Sequence, residues 1–213
     1  MNARKFICAL AAASALAGCS LIPKPPPAPR IFPLRAAVAP IAAPTPAGAI
    51  VIAVPDPVVS TVLAGVDIVW ARNGALGYME RGAWPSRTPT ALQALLIETI
   101  DAQRVALSAV RSGEGARATA ELRWQVTDFQ VEESRAGLVA RFRADVKLMD
   151  ARTRIVVAAQ TFEETEPFDA RSAAVAASAL AKAAQRASDR IGTWAVGQAA
   201  VLPVQPSAAS TSR

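Results

Sequence analysis

The sequence predicts an α+β domain in which an antiparallel sheet with a three-strand meander has one face covered by two helices. Three observations carry that expectation. Leu138, Ala140, Phe142, Ala144, Val146 and Leu148 alternate with Arg141, Arg143, Asp145 and Lys147, the period of two that marks a strand with one dry face. Asn73-Gly74 separates two strand-like runs, and both residues accept the positive φ of a tight hairpin turn. Leu92 to Ile100 and Ala173 to Trp194 instead repeat apolar residues every three or four positions, as amphipathic helices do.

The chain opens with Arg4 and Lys5, then an apolar run from Phe6 to Ala17. That run suits the core of an export signal and is too short to cross a bilayer as a helix. Residues 1–18 are therefore read as a signal peptide. The run ends in Leu16-Ala17-Gly18-Cys19, where small residues let the chain lie extended in a peptidase cleft and the thiol offers a nucleophile for alkylation. This stretch resembles the lipobox of bacterial lipoproteins, which implies that Cys19 becomes the first mature residue and carries a diacylglycerol, with a further acyl chain on its amino group. Each buried methylene contributes about 0.8 kcal/mol, so two or three chains make such an anchor effectively permanent. Ser20 stands where an Asp favours retention at the inner membrane in lipoproteins, so the resemblance implies the outer membrane, facing the periplasm.

Residues 19–48 follow as a tether. Nine prolines occur among the 24 residues from Pro23 to Pro46; proline fixes φ and removes a donor, so an extended spacer is expected, with a reach of up to about 90 Å from Cys19 to Gly48. Arg30-Ile31-Phe32-Pro33-Leu34 is apolar enough to dock locally on the domain.

The domain is expected over 49–197. Ala49 to Val54 reads as a buried strand closed by Pro55-Asp56-Pro57, since prolines cannot continue a ladder. The hairpin around Asn73-Gly74 joins Ile68–Arg72 to Ala75–Glu80. Thr90, three residues before Gln93, has the spacing of a capping box, and a helix from about Thr90 to Arg104 follows. Val105 to Val110 is a candidate edge strand, with Ser112-Gly113-Glu114-Gly115 as a loop. Ala118 to Val131 reads as a strand whose phase slips at Asp128, which predicts a bulge. Leu138–Met149 and Ile155–Glu164 complete the meander. Asp169 is placed as the N-cap of the last helix, whose seam of Ala173, Ala177, Leu180, Ala184, Ala187, Ile191 and Trp194 is suited to packing on the chain's own sheet. Residues 198–213, rich in Ser, Thr and Pro, read as a disordered tail.

Composition narrows the chemistry. The 213 residues less the first 18 leave 195, enough for one compact domain and tails. Cys8 would leave with the signal and Cys19 would be acylated, and the chain has no histidine. The mature domain thus lacks the residues of a disulfide, a thiolate metal site, and the usual general base near neutral pH. Without Arg4 and Lys5, the 23 basic residues become 21 against 17 acidic ones, an excess suited to anionic headgroups but short of a nucleic-acid footprint. No G-x-S-x-G elbow, phosphate loop or S-x-x-K pattern is present in the sequence. Glu132-Glu133 and Glu163-Glu164-Thr165-Glu166 are read as solvated charge at strand ends. No catalytic residue, metal or cofactor is therefore expected. Arg141 and Arg143 on the wet strand face read first as a solvated sheet face, and Tyr78 and Trp84 beside the hairpin read first as core aromatics; the functional alternative makes these four the candidate partner or lipid surface.

Taken together, Ile68-Val69-Trp70, Leu76-Gly77-Tyr78 and Trp84-Pro85 before the first helix, then Val126-Thr127-Asp128-Phe129, then Leu138 to Asp150 running through Ile155–Phe162 into the last helix, resemble the ABC-type transport auxiliary lipoproteins, which include the paraquat-inducible C-type lipoproteins. The resemblance covers about 50–196. It implies a non-enzymatic part of an envelope lipid transport system, working with an ABC permease and ATPase and with a periplasmic protein of the mammalian-cell-entry type. In that picture this chain is the outer-membrane end, and phospholipid or another apolar molecule is the cargo. A lipoprotein scaffold or pilot for another envelope assembly machine is the alternative.

Overall fold

The computed structural model describes residues 27–35, 50–103, 107–115 and 117–202. Along the chain these form β1 (Arg30–Ile31), β2 (Ile50–Val54), β3 (Val58–Val59), a 3-10 turn at Thr61–Leu63, β4 (Asp67–Arg72), β5 (Ala75–Ala83) and α1 (Thr88–Ala102). There follow β6 (Leu107–Arg111), β7 (Ala120–Ser134), β8 (Gly137–Asp150), β9 (Val156–Phe168) and α2 (Ala173–Ala199). The fold is α+β, one nine-stranded open sheet with two helices.

Strand β7 organises the sheet. One of its edges pairs antiparallel with β8 over its full length, and β8 pairs antiparallel with β9. Its other edge is shared in succession by β2, β3 and β4, all parallel to it. β2 then carries β6 in parallel, and β4 carries β5. The sheet is thus mixed, where the sequence suggested an antiparallel one. The cause lies in the connections: the chain returns to β7 after the hairpin, α1 and β6, and crossovers of that length bring strands back in the same direction.

The alternation in β8 is realised. Ala140, Phe142, Ala144, Val146 and Leu148 are buried while Arg143, Asp145 and Lys147 are exposed. The expected bulge falls between Val126 and Asp128, after which Phe129 and Val131 take over the dry face. On that face lie both helices. Buried Ala177, Leu180, Ala184, Ala187 and Ile191 of α2 belong to the core shared with α1 and the sheet, as the seam predicted. Small residues allow close approach: a Cβ on Gly192 would stand 2.7 Å from the Gln103 amide nitrogen and 3.3 Å from Ile100.

The helix caps differ from expectation. α1 starts two residues before Thr90, with Arg87 as N-cap, and the Thr88 hydroxyl donates to Gly65 O at 3.1 Å. Gln93 closes no capping box; it is buried, donates to Val54 O at 2.9 Å and accepts from Arg111. α2 is capped by Ser172, whose hydroxyl accepts from Val175 N at 3.2 Å, and not by Asp169. The shift follows from β9, which runs through Pro167 to Phe168. An edge strand tolerates proline where an inner strand does not.

The segment before the domain docks. β1 pairs in parallel with β5, placing Arg30 by Gly82 and Ile31 by Ala83, and Phe32 N donates to Ala83 O at 2.9 Å. Leu34 is buried in the core. At the other end α2 reaches Ala199 and Leu202 packs against the core. Leu16, Ala17, Gly18 and Cys19, with most of the tether and of the tail, lie outside the described residues.

Candidate functional site

The hairpin of β4 and β5 turns at Asn73 (φ 51°) and Gly74 (φ 79°), the twist that a two-residue connection needs. Its outer half leaves the core. Leu76 and Tyr78 are 51% and 56% exposed, and Trp70 stands opposite Gly77 in register. Tyr78, Trp70 and Met79 line a shallow cleft of about 520 Å³ with Glu80, Arg81 and Arg171.

Strand β5 then kinks. Arg81 sits at φ 61°, and the register with β4 shifts between Asp67 and Val69. Beyond the kink Gly82, Ala83 and Trp84 turn inward. Trp84 is only 2% exposed, stacks on Phe129 at 5.4 Å, and Phe129 meets Phe142 edge-on at 6.2 Å. Trp84 therefore belongs to the core and drops out of the candidate surface, which keeps Tyr78. Six residues along the chain, the two aromatics face different environments because the kink lies between them.

Arg141 and Arg143 point from the face of the sheet opposite the helices, and the structure separates their roles. Arg141 grips Glu132 with two hydrogen bonds, at 2.8 and 3.0 Å, and also reaches Glu163. Hydrogen bonding to Glu132 raises its pKa beyond the ordinary arginine range. Arg143 is exposed and forms no ion pair among the described residues. The acidic clusters also differ from expectation. Glu132 and Glu133 lie within β7, and Glu166 joins Glu163 and Glu164 within β9, because both strands run further than predicted. They are partnered: Glu133 meets Arg72 and Arg171, Glu164 meets Arg186 and Arg190, and Glu166 meets Lys182 and Arg186. Burial by itself would raise the Glu166 pKa, but the hydrogen bonds from Arg186 and Lys182 outweigh it and hold it below the ordinary 4.5.

Sequence reasoning missed two clefts beside β9. One, of about 680 Å³, lies on the outer face between β3 and β9 and is lined by Pro55, Asp56, Trp124, Lys147 and Ala159 among others. The other, of about 370 Å³, lies between β9 and α2 over Phe162 and Trp194. Ile155-Val156-Val157, an apolar run that the structure leaves exposed, lines neither cleft. Among the described residues no group of three His, Cys, Asp or Glu side chains is placed to hold a metal, and no helix is long and apolar enough to cross a membrane.

In architecture the chain is similar to a protein from Xanthomonas campestris, with 17% identity and a TM-score of 0.67 over 79% of this chain and 96% of that one. It is also similar to a second crystal structure, of an uncharacterized protein, with 14% identity and a TM-score of 0.64 over 79% and 99% of the two chains. At these identities the likeness concerns the fold alone. No curated protein matches the chain in sequence. Residues 32–192 match the family described as ABC-type transport auxiliary lipoprotein component. Because that match runs from the residue after β1 through all the later strands and α1 into α2, the chain belongs to the ABC-type transport auxiliary lipoprotein family.

Proposed function

We propose that this chain is the outer-membrane-anchored, periplasmic and non-enzymatic component of an ABC transport system that moves phospholipid or another apolar molecule through the envelope. Its partners in this reading are the ABC permease and ATPase and a periplasmic protein of the mammalian-cell-entry type. The observation that carries the reading is the family match from residue 32, set directly downstream of Leu16-Ala17-Gly18-Cys19. Acyl chains on Cys19 hold the body at the membrane, and the body works by contact. The hairpin surface around Leu76 and Tyr78, with Arg143 on the outer sheet face, supplies contact area for a partner or for anionic headgroups.

Copurification of the full chain with its mammalian-cell-entry-type partner from membranes, beside a Cys19→Ala form, tests the proposal. The variant is expected to fold, to leave the membrane fraction and to lose envelope function. A soluble Cys19→Ala protein that supports normal function would count against the reading.

A further inference from the structure

Strand β9 is an edge. Among the described residues it pairs only with β8, so every second backbone N–H and C=O along it points away from the sheet. Arg190 Nη1 donates to Glu163 O at 3.3 Å and Arg186 Nη2 to Thr165 O at 2.9 Å. The odd-numbered carbonyls are therefore the outward ones. Pro167 continues the series and has no N–H to offer.

The later half of the edge is thus guarded by two arginines of α2 and by a proline, all of which hinder a further strand. Among the described residues the earlier half has no such guard. Ala159 and Thr161 share the outward orientation by the period of two, and no hydrogen bond from α2 reaches their backbone groups among the described residues. Protection changes within a single strand. An unguarded ladder row is chemically specific, since only another extended backbone presents donors and acceptors at the same repeat.

The surroundings of that half suit an added strand. The 370 Å³ cleft over Phe162 and Trp194 opens on the helix side of Gln160, and the 680 Å³ cleft opens on the outer side of Ala159 and Thr161. Alternate side chains of an added strand would enter one cleft and then the other. The first has an aromatic floor, Phe162 meeting Trp194 edge-on at 5.7 Å, which favours an apolar side chain. In the second, Lys147 stands directly across from Ala159 in register and forms no ion pair among the described residues. Asp145 already accepts the Thr161 hydroxyl at 2.6 Å, Arg123 is paired with Glu121, and Asp56 lies at the far rim beside β3. Lys147 therefore favours a carboxylate.

We propose that the open half of β9, around Ala159 and Thr161, receives an extended segment of a partner protein whose side chains alternate between apolar and acidic. The site does not depend on the transport role, because it needs only the free edge and its two clefts.

The probe is an end-capped, fluorescent seven-residue peptide alternating valine and glutamate, titrated into the purified full chain and followed by anisotropy. Two comparison peptides replace glutamate by lysine or carry N-methyl groups on alternate backbone nitrogens. The glutamate peptide is expected to bind, and the N-methylated one to bind about tenfold more weakly for the loss of its backbone donors. Ala159→Pro, which removes an N–H turned away from β8, is expected to cause a similar loss with the circular dichroism unchanged. Lys147→Glu is expected to reverse the preference between the acidic and basic peptides. The N-methyl comparison uses the unaltered protein, so it decides the matter even where the proline variant misfolds. Absence of binding up to millimolar peptide, or binding indifferent to N-methylation, would overturn the proposal. Self-association of the full chain abolished by Ala159→Pro would overturn it too, by making a second copy the occupant.

Discussion

At Gly82 a single missing methyl group sets how closely α2 approaches the sheet. A Cβ there would stand 2.8 Å from the Ala173 Cβ and 3.0 Å from Ile68 Cδ1, distances that demand movement of packed atoms. Gly82→Ala is accordingly expected to destabilise the domain by about 1–3 kcal/mol, read from urea unfolding midpoints. Two aromatics nearby give a paired prediction. Trp84→Ala removes a ring stacked against Phe129 in the core and should cost about 3–5 kcal/mol, whereas Tyr78→Ala at the exposed hairpin should stay within about 0.5 kcal/mol. Their different fates were not legible in the sequence. Both stand within seven residues of one strand-like run, and the kink that divides them depends on Arg81 in a left-handed conformation, a residue type that gives no warning of it.

Among the elements, β8 was the most legible, because one dry face and one wet face write a strict alternation into the chain. The hairpin at Asn73-Gly74 was equally plain. The parallel partners of β7 were not, since no tight turn fixes their register and the order of β2, β3 and β4 along one edge is decided by crossovers. Of the candidate surface, Arg143 could be placed from local pattern alone. Arg141 could not, because its partners Glu132 and Glu163 come from the two flanking strands.

The join between β9 and α2 has a consequence for acid stability. Glu166 is held below 4.5 by Arg186 and Lys182 against its own burial, and Asp150 is lowered chiefly by the Thr153 N–H and also by that of Arg152. A carboxylate lowered in the folded state adds stability above its unfolded value, and that contribution is lost as pH falls through the folded one. Asp101 acts in the opposite sense: burial raises it from 3.8 although Ala109 N donates to it, so its contribution favours acid and fades as pH climbs through its folded value. With two groups against one, urea midpoints should fall between about pH 6 and about pH 3. Glu166→Gln should lower the midpoint at the upper pH and flatten the fall; an unchanged slope would show that the α2 ion pairs contribute nothing to it.

For the whole molecule, the docking of β1 changes the geometry of attachment. Were the chain free until Gly48, the proline-rich stretch would let the body range up to about 90 Å from an acylated Cys19. Arg30 and Ile31 are instead stitched to Gly82 and Ala83, and Leu34 is buried. Ten residues then lie between Cys19 and Arg30, the first fixed point, a leash of about 34 Å in extended polyproline geometry. In the reading proposed above, with acyl chains on Cys19, a body held that short stays beside the membrane that carries its anchor. On that same reading, any cargo has to be brought to its doorstep.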